Sequence, residues 1–68
     1  MMRIKKLRLE AGISRPQLAE RMGVTPREVS NWEREIILPM VRQLPLLAHA
    51  LGCSIEDLFM QEAWGSDE

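Results

Sequence analysis

The sequence predicts an all-α domain of five short helices. Three observations carry this. Apolar residues recur at three- and four-residue spacing, no alternating stretch is long enough for a strand, and Gly12, Gly23 and Gly52 stand where successive apolar stripes run out. A chain of 68 residues has room for one domain and no second core. A domain of about 60 residues buries only roughly 60 % of its unfolded surface, so stability is marginal and association would help.

In the first helix Ile4, Leu7 and Ala11 line one face, and Gly12 follows as its C′ residue. Ser14 with Gln17 three residues on makes a capping box for a second helix, whose inner side is Leu18, Ala19 and Met22 and which Gly23 stops. Thr25 caps a third helix, with Pro26 at its first position, Glu28 at its third, and Val29 and Trp32 inward. Arg34–Leu38 is a connector, apolar at Ile36, Ile37 and Leu38. The fourth helix is expected to start near Met40 or Val41, with Val41, Leu44, Leu47, Ala48 and Leu51 inward. Pro45 in its second turn would delete one ladder bond. Ser54 caps a fifth helix with Asp57 at its third position and Ile55, Leu58 and Phe59 inward. The terminal Gly65-Ser66-Asp67-Glu68 should fray.

Composition excludes several classes. Hydrophobic residues make up 46 % and charged residues 28 %, which argues against intrinsic disorder. One cysteine, Cys53, excludes an intramolecular disulfide framework and makes the reducing cytoplasm the expected compartment. No secretory or membrane segment is expected, since the uncharged stretch Gln43–Ile55 is too short to span a bilayer. The net charge of −1 hides an asymmetry: residues 1–42 carry nine Lys and Arg and five acidic side chains, and residues 43–68 carry five acidic side chains and no Lys or Arg. A nucleic-acid binder concentrates its basic charge on one face, so the first part of the chain suits that class provided the acidic end points away. An ordinary solvated surface would show the same split.

The informative unit is residues 15–34, two helices separated by a short turn. Small Ala19 allows close helix crossing, and Gly23 lies in the turn where left-handed backbone is cheap. Such a helix-turn-helix leaves the first half of its second helix free to enter a major groove. Around it stand Leu7-Arg8, Gly12-Ile13-Ser14, Gln17-Leu18-Ala19, Gly23-Val24-Thr25, Val29-Ser30-Asn31-Trp32-Glu33 and Pro39, then Leu47-Ala48, Ala50-Leu51-Gly52 and Glu56-Asp57-Leu58-Phe59. In these residues the chain resembles the Cro/repressor-type helix-turn-helix family, also called the XRE family, over residues 4–59.

The resemblance implies a five-helix, lambda-repressor-like DNA-binding domain over residues 1–60, with 61–68 a short acidic C-terminal extension. It implies a cytoplasmic transcriptional regulator that binds a double-stranded DNA operator as a homodimer and represses by occlusion. By position, base contacts fall to Pro26, Arg27, Ser30 and Asn31, with Arg27 suited to guanine O6/N7 and Asn31 to adenine N6/N7. Phosphate contacts fall to Ser14, Arg15, Thr25 and Arg34, and Lys5 and Lys6 are weaker candidates. Arg15 stands where the family commonly has Gln, and Pro26 where a polar residue is common. The family also pairs the residues at Arg8 and Glu33, a structural ion pair. Phe59, Met60 and Trp64 are the expected dimer interface.

Other features read more plainly. His49 and Cys53 are four apart, but Gly52 interrupts the helix and no second pair completes a zinc site, so they read as a structural histidine and a buried thiol. No catalytic arrangement of Ser, His and acid is discernible, and no cofactor or metal is expected. The rival reading is a protein-interaction module on the same fold, such as an antitoxin that neutralises a partner protein. The acidic second half and the apolar Ile36–Leu38 connector favour it.

Overall fold

The computed structural model describes residues 2–59. Among them are four α-helices, α1 (Ile4–Ala11), α2 (Arg15–Met22), α3 (Pro26–Glu33) and α4 (Leu44–Leu51), with single 3-10 turns at Val41–Gln43 and Glu56–Leu58. The core is one cluster to which all four helices contribute: Ile4 and Leu7, then Leu18, Ala19 and Met22, then Val29 and Trp32, then Leu47, Ala48, Ala50 and Leu51. Leu58 closes it from the last turn.

Local chemistry accounts for the helix ends. Ser14 Oγ accepts from the Gln17 amide at 3.2 Å while Gln17 Oε1 accepts from the Ser14 amide at 2.7 Å, the reciprocal box expected at the start of α2. Thr25 Oγ1 accepts from the Glu28 amide at 3.2 Å, and Pro26 sits in the first turn of α3, where no helical amide bond is lost. Between the two helices Gly23 adopts φ 72°, and the Val24 amide returns to the Ala19 carbonyl at 3.0 Å. This compact turn holds α3 against α2.

Trp32 is 1 % exposed, and its indole N–H makes no hydrogen bond among the described residues. Burying an indole of 150–250 Å² contributes roughly 4–6 kcal/mol, against about 1–3 kcal/mol for an unpaired donor, so burial wins.

Two expected elements differ. The fifth helix is a single 3-10 turn. Its cap forms as expected, Ser54 Oγ accepting from the Asp57 amide at 3.1 Å and Asp57 Oδ2 from the Ser54 amide at 3.2 Å. The turn then stops because Phe59 is extended and bridges antiparallel to Met2, with the Arg3 amide on the Leu58 carbonyl at 2.7 Å. Leu58 is buried and Phe59 packs on the core, but Ile55, expected inward, is 41 % exposed. The fourth helix begins at Leu44, after the 3-10 turn. Pro45 therefore lies in its first turn and deletes no ladder bond, and Val41, expected in the inner stripe, is 82 % exposed.

At Gly23 a built Cβ meets nothing within 4 Å, so substitution there tests backbone conformation alone. Gly23→Ala is expected to cost about 1 kcal/mol, read as a melting temperature roughly 4–8 °C lower in thermal denaturation.

Candidate nucleic-acid interface

On a helix each residue advances about 100°, which divides α3 into two faces. Val29 and Trp32 are 0 % and 1 % exposed and define the buried side. Pro26, Ser30, Arg27 and Asn31 then fall within an arc of roughly 140° on the opposite side. Pro26 and Arg27 are exposed, and Ser30 and Asn31 half-buried. Glu28, the acidic residue of the first turn, projects off this arc toward the buried side. The open face thus offers a guanidinium, a carboxamide and a hydroxyl, and no carboxylate.

The start of α2 is joined to the end of α3 through Glu33. Its carboxylate is 2 % exposed and both oxygens are used: Arg8 Nε donates to Oε2 at 2.6 Å, and Arg15 Nε donates to Oε1 at 2.8 Å. Arg8 is itself buried, and its Nη1 donates to the Ile13 carbonyl at 2.9 Å. Arg15, by contrast, has 43 % of its side chain exposed. One carboxylate between two guanidiniums leaves the cluster at +1. That charge stands at the amino end of α2, where the helix dipole is also positive. Both Arg side chains bond Glu33 through Nε, so the Arg15 contact with Glu33 does not use its Nη groups.

Several other residues singled out from the sequence are placed as follows. Ser14 and Thr25 have their hydroxyls in helix caps. Arg34 is the exposed C-cap of α3, its amide on the Ser30 carbonyl at 3.0 Å, and Lys5 and Lys6 are exposed on α1. Phe59 is half-buried beside Met2, while Met60 and Trp64 lie outside the described residues. His49 is exposed on α4 rather than built into the interior, because its position falls outside the stripe formed by Leu47, Ala48, Ala50 and Leu51. Cys53 is half-buried, and burial, reinforced by Asp57 and opposed by Arg3, pushes its thiol pKa up, which favours the neutral thiol over a nucleophilic thiolate. Among the described residues no three His, Cys, Asp or Glu side chains gather in a way that could hold a metal ion, and no helix is long and apolar enough to cross a membrane.

Sequence reasoning missed two contacts. One is the second partner of Glu33, because an 18-residue separation between Arg15 and Glu33 carries no periodic signal. The other is Arg21, whose Nη1 donates to the Ala50 carbonyl at 2.9 Å and so ties α2 to α4. A cation in the last turn of α2 was the only local hint.

The chain is similar to known proteins in sequence and fold. The model of a helix-turn-helix family matches residues 4–58. An uncharacterised HTH-type transcriptional regulator of Rickettsia conorii is 40 % identical over 57 residues, covering 84 % of this chain and 46 % of that protein. A regulator so described from Rickettsia prowazekii is also 40 % identical, covering 84 % and 44 %. The chain thus spans a little under half the length of these curated relatives. Among solved structures, the P22 c2 repressor in complex with a synthetic operator superposes with a TM-score of 0.72 at 32 % identity, covering 78 % of this chain and 80 % of that one. The clp gene regulator ClgR of C. glutamicum superposes with a TM-score of 0.78 at 32 % identity, covering 96 % and 83 %.

The doubly used carboxylate makes a direct stability test. Glu33→Gln leaves the buried Arg8 without its counter-charge and is expected to cost about 3 kcal/mol in urea denaturation. Arg15→Ala, which removes a half-exposed partner, is expected to cost under about 1 kcal/mol.

Proposed function

Because the chain belongs to the Cro/repressor-type (XRE-type) helix-turn-helix family, we propose that it is a sequence-specific binder of double-stranded DNA that acts as a homodimeric transcriptional regulator, repressing by occluding its operator. The observation that carries this is the open face of α3, where Pro26, Arg27, Ser30 and Asn31 stand together opposite the buried Val29 and Trp32. The P22 c2 repressor, similar over most of this chain, was solved on a synthetic operator.

In this reading α3 enters the major groove. Arg27 presents two parallel donors to guanine O6 and N7, and Asn31 pairs with adenine N6 and N7. Ser30 is small enough to meet a thymine methyl, and Pro26 starts the helix and adds only apolar contact. Arg15 meets phosphate with its Nη groups, supported by the backbone amides at the start of α2. Ser14, Thr25 and Arg34 complete the phosphate contacts. Glu33, which holds Arg15 by Nε, orients this contact, and Arg8 keeps the carboxylate in place from the other side.

The test is selection from a randomised duplex pool with the purified chain at about 0.1 M salt, where exposed charges are screened beyond ~10 Å. A two-fold-related site with half-sites one helical turn apart is expected to be enriched. Arg27→Ala should then cost about 1–3 kcal/mol and relax preference at one position of each half-site. Arg15→Ala should weaken all sequences alike and reduce the salt slope by about one per half-site. No enrichment by a folded protein would sink the reading. The exposed apolar residues 36–41 favour a second reading, a module whose partner is another protein such as a toxin. Its binding would lack the steep salt dependence of phosphate contacts.

A further inference from the structure

Five of the eight exposed large hydrophobic residues among the described ones fall in the connector between α3 and α4. Ile36, Ile37, Leu38, Met40 and Val41 are 54–82 % exposed, and Pro39 completes an apolar run without a break. Scattered single hydrophobes are ordinary on a protein surface, whereas a contiguous group marks a contact. Beside the run lies a groove walled by Leu38, Val41, Leu44, Met2 and Phe59. The connector is pinned at both ends. The amides of Ile36 and Ile37 return to the Asn31 carbonyl at 3.0 and 3.5 Å, and the Met40 amide donates to Gln43 Oε1 at 2.7 Å. Its apolar side chains are therefore presented on a fixed backbone.

The charges at the two ends of the run indicate what covers it. Glu35 precedes it and Arg42 follows it, six apolar residues apart. We propose that residues 35–42 form a self-complementary docking surface for a second copy of this chain, with the two-fold axis passing between Leu38 and Pro39. In a two-fold contact, if residue i meets residue j then j meets i. Glu35 Oε2 accepts from the Met2 amide at 3.2 Å, which holds the carboxylate at the edge of the same groove. A two-fold axis there brings the Glu35 end of each run toward the Arg42 end of the other copy and sets the two apolar runs against each other. Another protein would need a matching pattern of its own, whereas a second copy supplies it by symmetry.

The inference rests on the DNA-binding reading proposed above for its purpose, since two recognition helices must sit about 34 Å apart to read successive major-groove faces. The run begins three residues after α3 ends. An axis there lies beyond the carboxyl end of each α3 and leaves the base-reading amino halves directed away from it. Of the residues expected at the dimer contact, Phe59 joins the groove wall next to the buried Leu58, and Met60 and Trp64 lie outside the described residues.

Sedimentation equilibrium of the full chain without DNA tests this at about 0.1 M salt, where close ion pairs are still felt. The wild-type chain is expected to be a dimer. Glu35→Arg and Arg42→Glu should each weaken it about tenfold, because each turns two attractions into two repulsions, and the double variant E35R/R42E should restore it. Leu38→Asp should give a monomer, with melting temperature measured alongside to confirm folding. In a Cys53→Ser background, Leu38→Cys beside the axis should form a disulfide between copies under mild oxidation. A wild-type monomer at all concentrations would assign the run to another occupant and overturn the proposal. So would a dimer indifferent to Arg42→Glu and Leu38→Asp, or single reversals that weaken it without rescue by the double. Because DNA is absent, a chain that dimerises this way yet enriches no DNA site refutes the function proposed and leaves this inference standing.

Discussion

Much of the structure turns on one buried carboxylate. Glu33 at the end of α3 is bound by Arg8 from α1 and Arg15 from the start of α2, so three helices meet at two oxygen atoms. A lone carboxylate at that depth would lose several kcal/mol of hydration. Two guanidiniums, one of them also held by the Ile13 carbonyl, offset that loss and leave neither oxygen unpaired. The crossing of α2 and α3 is thereby constrained from two sides. The apolar turn at Gly23 and Ala19 sets their approach, and the ion cluster ties the far ends together.

The same cluster links folding to the proposed function. Arg8 and Glu33 alone would be a neutral structural pair. Arg15 adds one positive charge at a helix amino terminus, on the half-exposed side, and receives a fixed orientation. A pre-oriented cation loses less side-chain freedom on meeting a phosphate than one that moves freely. Stability and anion attraction are therefore built from the same three side chains.

The buried faces were the most legible part of the sequence. Every inner residue assigned to α2 and α3 is buried, because in an eight-residue amphipathic helix local spacing leaves little choice of face. The caps at Ser14, Thr25 and Ser54 were also readable, since each depends on residues no more than three apart. The errors fall where a distant segment intervenes. The turn after Ser54 has a sound cap and an apolar stripe, yet it ends when Phe59 bridges to Met2, 57 positions earlier. The start of the fourth helix slipped by three or four residues because Met40 and Gln43 close a 3-10 turn that apolar spacing does not distinguish from α-helix.

The sequence alone determined the helical class, the buried faces of α2 and α3 and the helix-turn-helix at residues 15–34, because these rest on contacts within a turn or two of chain. Tertiary structure decided what crosses between elements: that Glu33 holds Arg15 as well as Arg8, that Arg21 caps the Ala50 carbonyl, and that residues 36–41 stay on the surface. The reason is physical. An ion pair or an exposed run depends on where distant segments settle, and hydrophobic periodicity, which fixes each helix's inner face, says nothing about which side chains meet once those faces are joined.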